Sequence, residues 1–84
     1  MGLKQKLPKW FNGETYEIGD EVRNPFSGDR FDLTAEELAM YDFIKGCEYT
    51  LELIGHRDWI VRDMERGINW FRVNNPKAYM VLLD

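Results

Sequence analysis

Cysteine occurs once in these 84 residues, at Cys47, so no disulfide can close within them. A small secreted scaffold that depends on such staples is thereby excluded, and a cytoplasmic, reducing setting is the expectation. Histidine also occurs once, at His56. One His and one Cys fall short of the four soft ligands of a structural zinc site, and no metal or cofactor is expected. Long apolar runs are missing too: the longest, Ala78 to Leu83, is far below the roughly 20 residues of a membrane span. No membrane partner is expected. The opening MGLKQKLPKW carries charge without the apolar core of a secretory leader, and Lys6 stands where a myristoylation signal has Ser or Thr. Positive charge is scarce in the middle, where residues 14 to 52 hold eleven acids against Arg23, Arg30 and Lys45. Such a section repels phosphate backbones, so no nucleic-acid partner is expected.

What is present is 44% hydrophobic and 14% aromatic, a composition that packs. A chain this short buries only roughly 60 to 65% of its unfolded surface, so the core must draw large areas from few residues. Residues 1–9, with Lys4, Lys6, Lys9 and Pro8, read as a basic flexible arm, and residues 10–84 as a single small α+β domain.

From Glu14 to Leu33 the residues alternate loosely between turn formers, the pattern of short strands. Asn24-Pro25-Phe26-Ser27 suits a type I turn with Gly28 at positive φ, which makes residues around Val22 and Phe31 to Leu33 a β-hairpin. A further strand is expected around Thr15 to Ile18. At Thr34 the patterning turns helical: Thr34 and Glu37 form a capping box, Leu33 and Leu38 a hydrophobic staple, and Glu36 and Glu37 favour the helix dipole. At about 100° per residue, Met40, Phe43, Ile44, Cys47, Leu51 and Ile54 fall on one stripe, giving a helix over 35–54 that stops at Gly55. Asp58 is the expected cap of a second helix running to about Val73, with Ile60, Val61, Met64, Ile68 and Phe71 as its stripe. The short link makes the pair an antiparallel hairpin, with Gly67 at a close crossing. Asn75 and Pro76 can then start a short C-terminal helix, a strand being the alternative.

Chemical motifs are thin. His56-Arg57-Asp58 spells the catalytic-loop tripeptide of protein kinases, but Asp63 occupies the position that needs Asn and no phosphate loop exists. Cys47 sits on the apolar stripe, where a free thiol behaves as a small hydrophobe. No catalytic residue is assigned, and no enzyme is expected. The surplus lies on the second helix, whose Trp59, Asp63, Arg66 and Trp70 share a face outside the stripe. Arg66 is placed for a cation–π contact between the two indoles, and the four are the candidate partner-binding residues. The competing use of that face is burial beneath Trp10, Phe11, Tyr16, Phe26 and Phe31.

NPFSGDRFDLTAEELAMYDFIKG, together with the ending NPKAYMVLLD, resembles short uncharacterised proteins encoded by tailed bacteriophages, including those of marine bacteria. Asn24-Pro25, Ser27-Gly28, the Leu33 to Leu38 helix start, Tyr41-Asp42, Lys45-Gly46 and Tyr79 to Asp84 carry the likeness. It implies a setting, the cytoplasm of an infected bacterium, and supplies no catalytic residue. The expectation is therefore a small accessory protein acting through contacts with a host or virion protein. Self-association as a homodimer through Trp59 and Trp70, and imitation of nucleic acid by the acidic middle, are the alternatives.

Overall fold

Asn24 organises the first regular structure. In the computed structural model, which describes residues 5–83, its Oδ1 accepts from the backbone N–H of Phe26 at 2.8 Å and of Ser27 at 3.3 Å. Its own N–H donates to the Asp29 carbonyl, and Gly28, at φ 83°, returns the chain. Strands β1 (Asp20–Arg23) and β2 (Arg30–Leu33) pair antiparallel on either side, with Val22 opposite Phe31. The inward residues Val22, Phe31 and Leu33 pack toward the core, while Phe26 at the tip is 95% exposed and covers nothing. The expected strand at Thr15 to Ile18 does not form: residues 12–19 are irregular, Ile18 is exposed, and the two-stranded sheet ends at β1.

Helix α1 (Ala35–Ile54) starts on the capping box: Glu37 N–H donates to Thr34 Oγ1 and Thr34 N–H donates to Glu37 Oε1. Gly55, at φ 83°, ends it, as glycine does where the chain must leave a helix through the left-handed region. Helix α2 (Asp58–Asn74) follows after three residues. Its cap differs from the expected one. The Arg57 carbonyl accepts the first helical bonds, from Ile60 and Val61, so Arg57 is the N-cap and has no side-chain bond. Asp58 is the first helical residue, where its charge still complements the helix dipole. His56 turns its Nδ1 toward Asp58, 3.5 Å away. Helix α3 (Pro76–Leu82) follows, with the Asn75 side chain as its cap, which decides this segment in favour of helix.

The helical hairpin is a seam with one closed end and one open end. Met40 and Ile44 of α1 and Ile60, Gly67 and Phe71 of α2 are buried, and Ala78 and Leu82 of α3 close the far side. A Cβ on Gly67 would stand 3.0 Å from Ile44 Cγ1 and 3.2 Å from Met40 Sδ, so the glycine does serve a close crossing. Further along α1 the stripe surfaces: Cys47 and Leu51 are half-buried and Ile54 is exposed, and outside the stripe Tyr49 and Leu53 are exposed as well.

Two long-range ties hold the ends. Glu37 is 3% exposed, and its Oε2 accepts from Gln5 Nε2 at 2.7 Å and from Asn75 Nδ2 at 3.0 Å. Asn24 Nδ2 donates to the Val81 carbonyl at 2.8 Å, fastening the hairpin loop to α3. Of the segment expected as a flexible arm, Met1 to Lys4 lie outside the described residues. Gln5 to Lys9 run along the helices, with Leu7 packed on the core and the Lys6 carbonyl accepting from Trp70 Nε1 at 3.0 Å.

Candidate functional site

The four residues expected on one face of α2 divide into two places. Trp70 is half-buried, bonded to Lys6 and stacked edge-on against Phe71 at 6.5 Å. Arg66 does not lie between Trp59 and Trp70. Its guanidinium sits over the third indole, Trp10, at 4.4 Å, and pairs with Asp63 at 2.6 Å. The reason is that Pro8 to Phe11 reach the same side of α2 as Trp70, which puts Trp10 nearer than Trp59. Helical spacing places side chains on a face but cannot say which distant segment will arrive there. Trp10 and Phe11 in turn cluster with Phe43, at 5.7 and 5.4 Å.

Trp59 is left apart, 56% exposed, as a wall of an open groove of about 380 Å³. The floor is one face of α1, namely Asp42, Phe43, Gly46, Cys47 and Thr50, which share that face because helical residues three and four apart are neighbours. Ile60 seals the base beside Trp59, and Gly13, Glu14 and Tyr16 of the irregular segment form the opposite rim. The Tyr16 hydroxyl donates to Asp42 Oδ2 and pins that rim to α1.

The chemistry of the groove is mostly apolar with an acidic edge. Thr50 Oγ1 donates back to the Gly46 carbonyl at 2.8 Å, so its hydroxyl proton is engaged within the helix. Burial, and then the charges of Asp63 and Glu48, push the Cys47 thiol up, holding it protonated and poorly nucleophilic. Cys47 is therefore a half-buried lining residue rather than the core residue its stripe position implied. His56 lies with Asp58 at the helix link and does not line this groove. Among the described residues, no group of three or more His, Cys, Asp or Glu side chains is placed to hold a metal ion. Nor, among them, is any helix long and apolar enough to cross a membrane.

No family model, curated protein or solved structure matches this chain. Of the groove's lining, only Trp59 was a candidate from the sequence. Gly46 was the missed signal: a glycine inside a 20-residue helix costs about 1 kcal/mol relative to Ala, and no crossing explains it. A Cβ there would meet nothing within 4 Å. Replacing Gly46 by Ala should accordingly raise stability by up to about 1 kcal/mol in urea unfolding, with the slope unchanged. A loss of stability would show that something occupies that space.

The rim has its own pH signature. The hydrogen bond to Asp42 and the neighbouring negative charges of Asp42 and Glu14 push the Tyr16 hydroxyl up to about 12 from its ordinary 10.0. A group whose folded value is raised contributes stability that is complete below the unfolded value and is lost as pH climbs through the folded one. The tie should thus hold through pH 10 and fail near pH 12. Tyrosinate absorbance of wild type minus Tyr16→Phe measures it directly. A step at the ordinary tyrosine value in that difference would contradict the Tyr16–Asp42 bond.

Proposed function

We propose that this chain is a non-catalytic binding module that contacts another protein through the groove walled by Trp59. The observation that carries the reading is the unequal fate of the three indoles. Trp10 and Trp70 are engaged by the chain itself, whereas Trp59 leaves more than half its surface to solvent beside an open apolar cleft. Partly buried aromatic anchors next to pockets are what hot spots of protein interfaces are made from. The Cys47 thiol, pushed up by burial, in a groove that His56 does not line, supports a role without covalent chemistry. Asp63, Arg66 and Trp70 enter this reading as the framework that holds α2 against residues 6–10, not as contacts to the partner. In this reading the partner is a host or virion protein, the class that the resemblance to phage-encoded proteins implies.

Affinity capture from bacterial lysate, run in parallel with wild type and Trp59→Ala, is the test. The module reading expects a protein retained by wild type and lost with the variant. Equal capture by both, or none above background, would overturn it.

A second reading has one observation in its favour. Tyr49, Leu53 and Ile54 are exposed on the last turns of α1, toward the end of the hairpin where Trp59 lies in the first turn of α2, an apolar area that a symmetric pair of chains would bury. Sedimentation across a wide concentration range separates the two: a dimer that Trp59→Ala dissociates favours self-association.

A further inference from the structure

Resting on the binding-module reading, we infer that the Trp59 groove receives a lysine or arginine side chain from a basic segment of the partner, its stem on the apolar floor and its charge at Glu14 and Asp42. The polar inventory leads to this. The Tyr16 proton goes to Asp42 and the Thr50 proton to the Gly46 carbonyl, so two strong donors of the lining are already engaged. Asp42 retains its other oxygen, and Glu14 its whole carboxylate. Among the described residues neither carboxylate is in an ion pair, and no Lys or Arg lines the groove. Among the lining side chains, apart from the Trp59 indole N–H and the weak Cys47 thiol donor, the unengaged groups are acceptors, which favours a ligand that donates and carries positive charge.

Shape and surface select the rest of the ligand. Three aromatic side chains line the groove, Phe43 in the floor and Tyr16 and Trp59 at its sides, and π faces attract a cation while accepting its methylenes. Gly46 adds no side chain to the floor, and a Cβ there would meet nothing within 4 Å, so a larger side chain would take up groove space. A volume of about 380 Å³ lies within the range of roughly 300 to 1,000 Å³ typical of sites that take a compact group. A phosphate or carboxylate would face two carboxylates with no countercharge and is repelled.

The probes are short capped peptides with a central Lys or Arg flanked by Leu and Phe, matched by peptides carrying norleucine or Glu at the centre. Each is titrated into the full chain, following the Trp59 indole N–H by NMR. The Lys and Arg peptides should shift that signal saturably, and added salt should weaken them. The double variant Glu14→Gln/Asp42→Asn should lose about tenfold or more in affinity, the scale of one charge-assisted hydrogen bond. Gly46→Leu should abolish binding by filling the groove, with circular dichroism confirming that the helix is intact. Equal binding of the norleucine peptide, binding of the Glu peptide, or no shift with any peptide overturns the inference. So does a Trp59 shift that appears on raising protein concentration alone, which would give the groove to a second copy. If no peptide binds while lysate capture still depends on Trp59, the basic-side-chain inference fails and the module reading stands; loss of that dependence defeats the reading itself.

Discussion

Replacing Glu37 by Ala should lower stability by about 2 to 4 kcal/mol, because three donors lose their acceptor at once. The carboxylate is buried and works as a clasp. Oε1 takes the Thr34 N–H that opens α1, while Oε2 takes the amides of Gln5 and Asn75, from the beginning of the described chain and the α2–α3 junction. Removing it breaks one half of the capping box, leaving the Thr34 N–H without its acceptor while the bond to Thr34 Oγ1 remains, and leaves the Gln5 and Asn75 amides each a desolvated group without that partner. Glu37→Gln separates charge from geometry. Its single carbonyl can serve one side of the clasp, but its NH2 would then point donors at donors on the other, so an intermediate loss is expected. For a domain of this size each kcal/mol corresponds to a melting shift of about 4 to 8 °C. Thermal unfolding of both variants should therefore rank wild type, Gln, then Ala. An Ala variant as stable as wild type would mean that the three donors find water instead.

Gly19→Ala should be at least as damaging. The backbone entering β1 passes so close to the end of β2 that a Cβ on Gly19 would stand 1.8 Å from the Leu33 carbonyl oxygen and 2.9 Å from the Thr34 carbonyl carbon. Those are main-chain atoms at the very start of α1, with no rotamer to give. Relief requires peeling β1 from β2 or displacing the capping box, and Leu33, 4% exposed, would leave the core with either. A loss of about 3 kcal/mol or more is expected, in the range reserved for clashes and broken networks. Urea unfolding with amide exchange at Asp20 to Arg23 checks both size and place. Near-wild-type stability with those amides still protected would contradict the close approach.

Much of this fold is legible locally, because its decisive signals lie within a turn of the residues they act on. Thr34 with Glu37, Gly55 with Leu51, Asn24 with Gly28 and Asn75 with Ala78 each close a bond within five residues, and all of those boundaries appear where local chemistry puts them. Asp58 is the exception that shows the limit: as a cap and as a first helical residue it offers the dipole much the same charge, so the helix could begin one step early. The groove was not legible. Its rim depends on Tyr16 reaching Asp42 across 26 residues, and nothing in the irregular run before β1 announces that reach. Cys47 went to the wrong environment because a stripe gives an angle around α1, whereas burial depends on where along its length the neighbouring elements still cover it. Arg66 found Trp10 rather than Trp59 for the same reason, a segment arriving from more than fifty residues away.

The central claim is that the chain shelters Trp70 with its own residues 6–10 and leaves Trp59 as the wall of an open, acidic groove. Paramagnetic broadening of the three indole N–H signals, assigned with Trp59→Phe, tests it most directly. The account predicts that a cationic nitroxide broadens Trp59 more than an anionic one does, while the Trp70 proton, bonded to Lys6, stays sharp with both. A Trp59 signal as protected as that of Trp70, or one broadened equally by both probes, would contradict it.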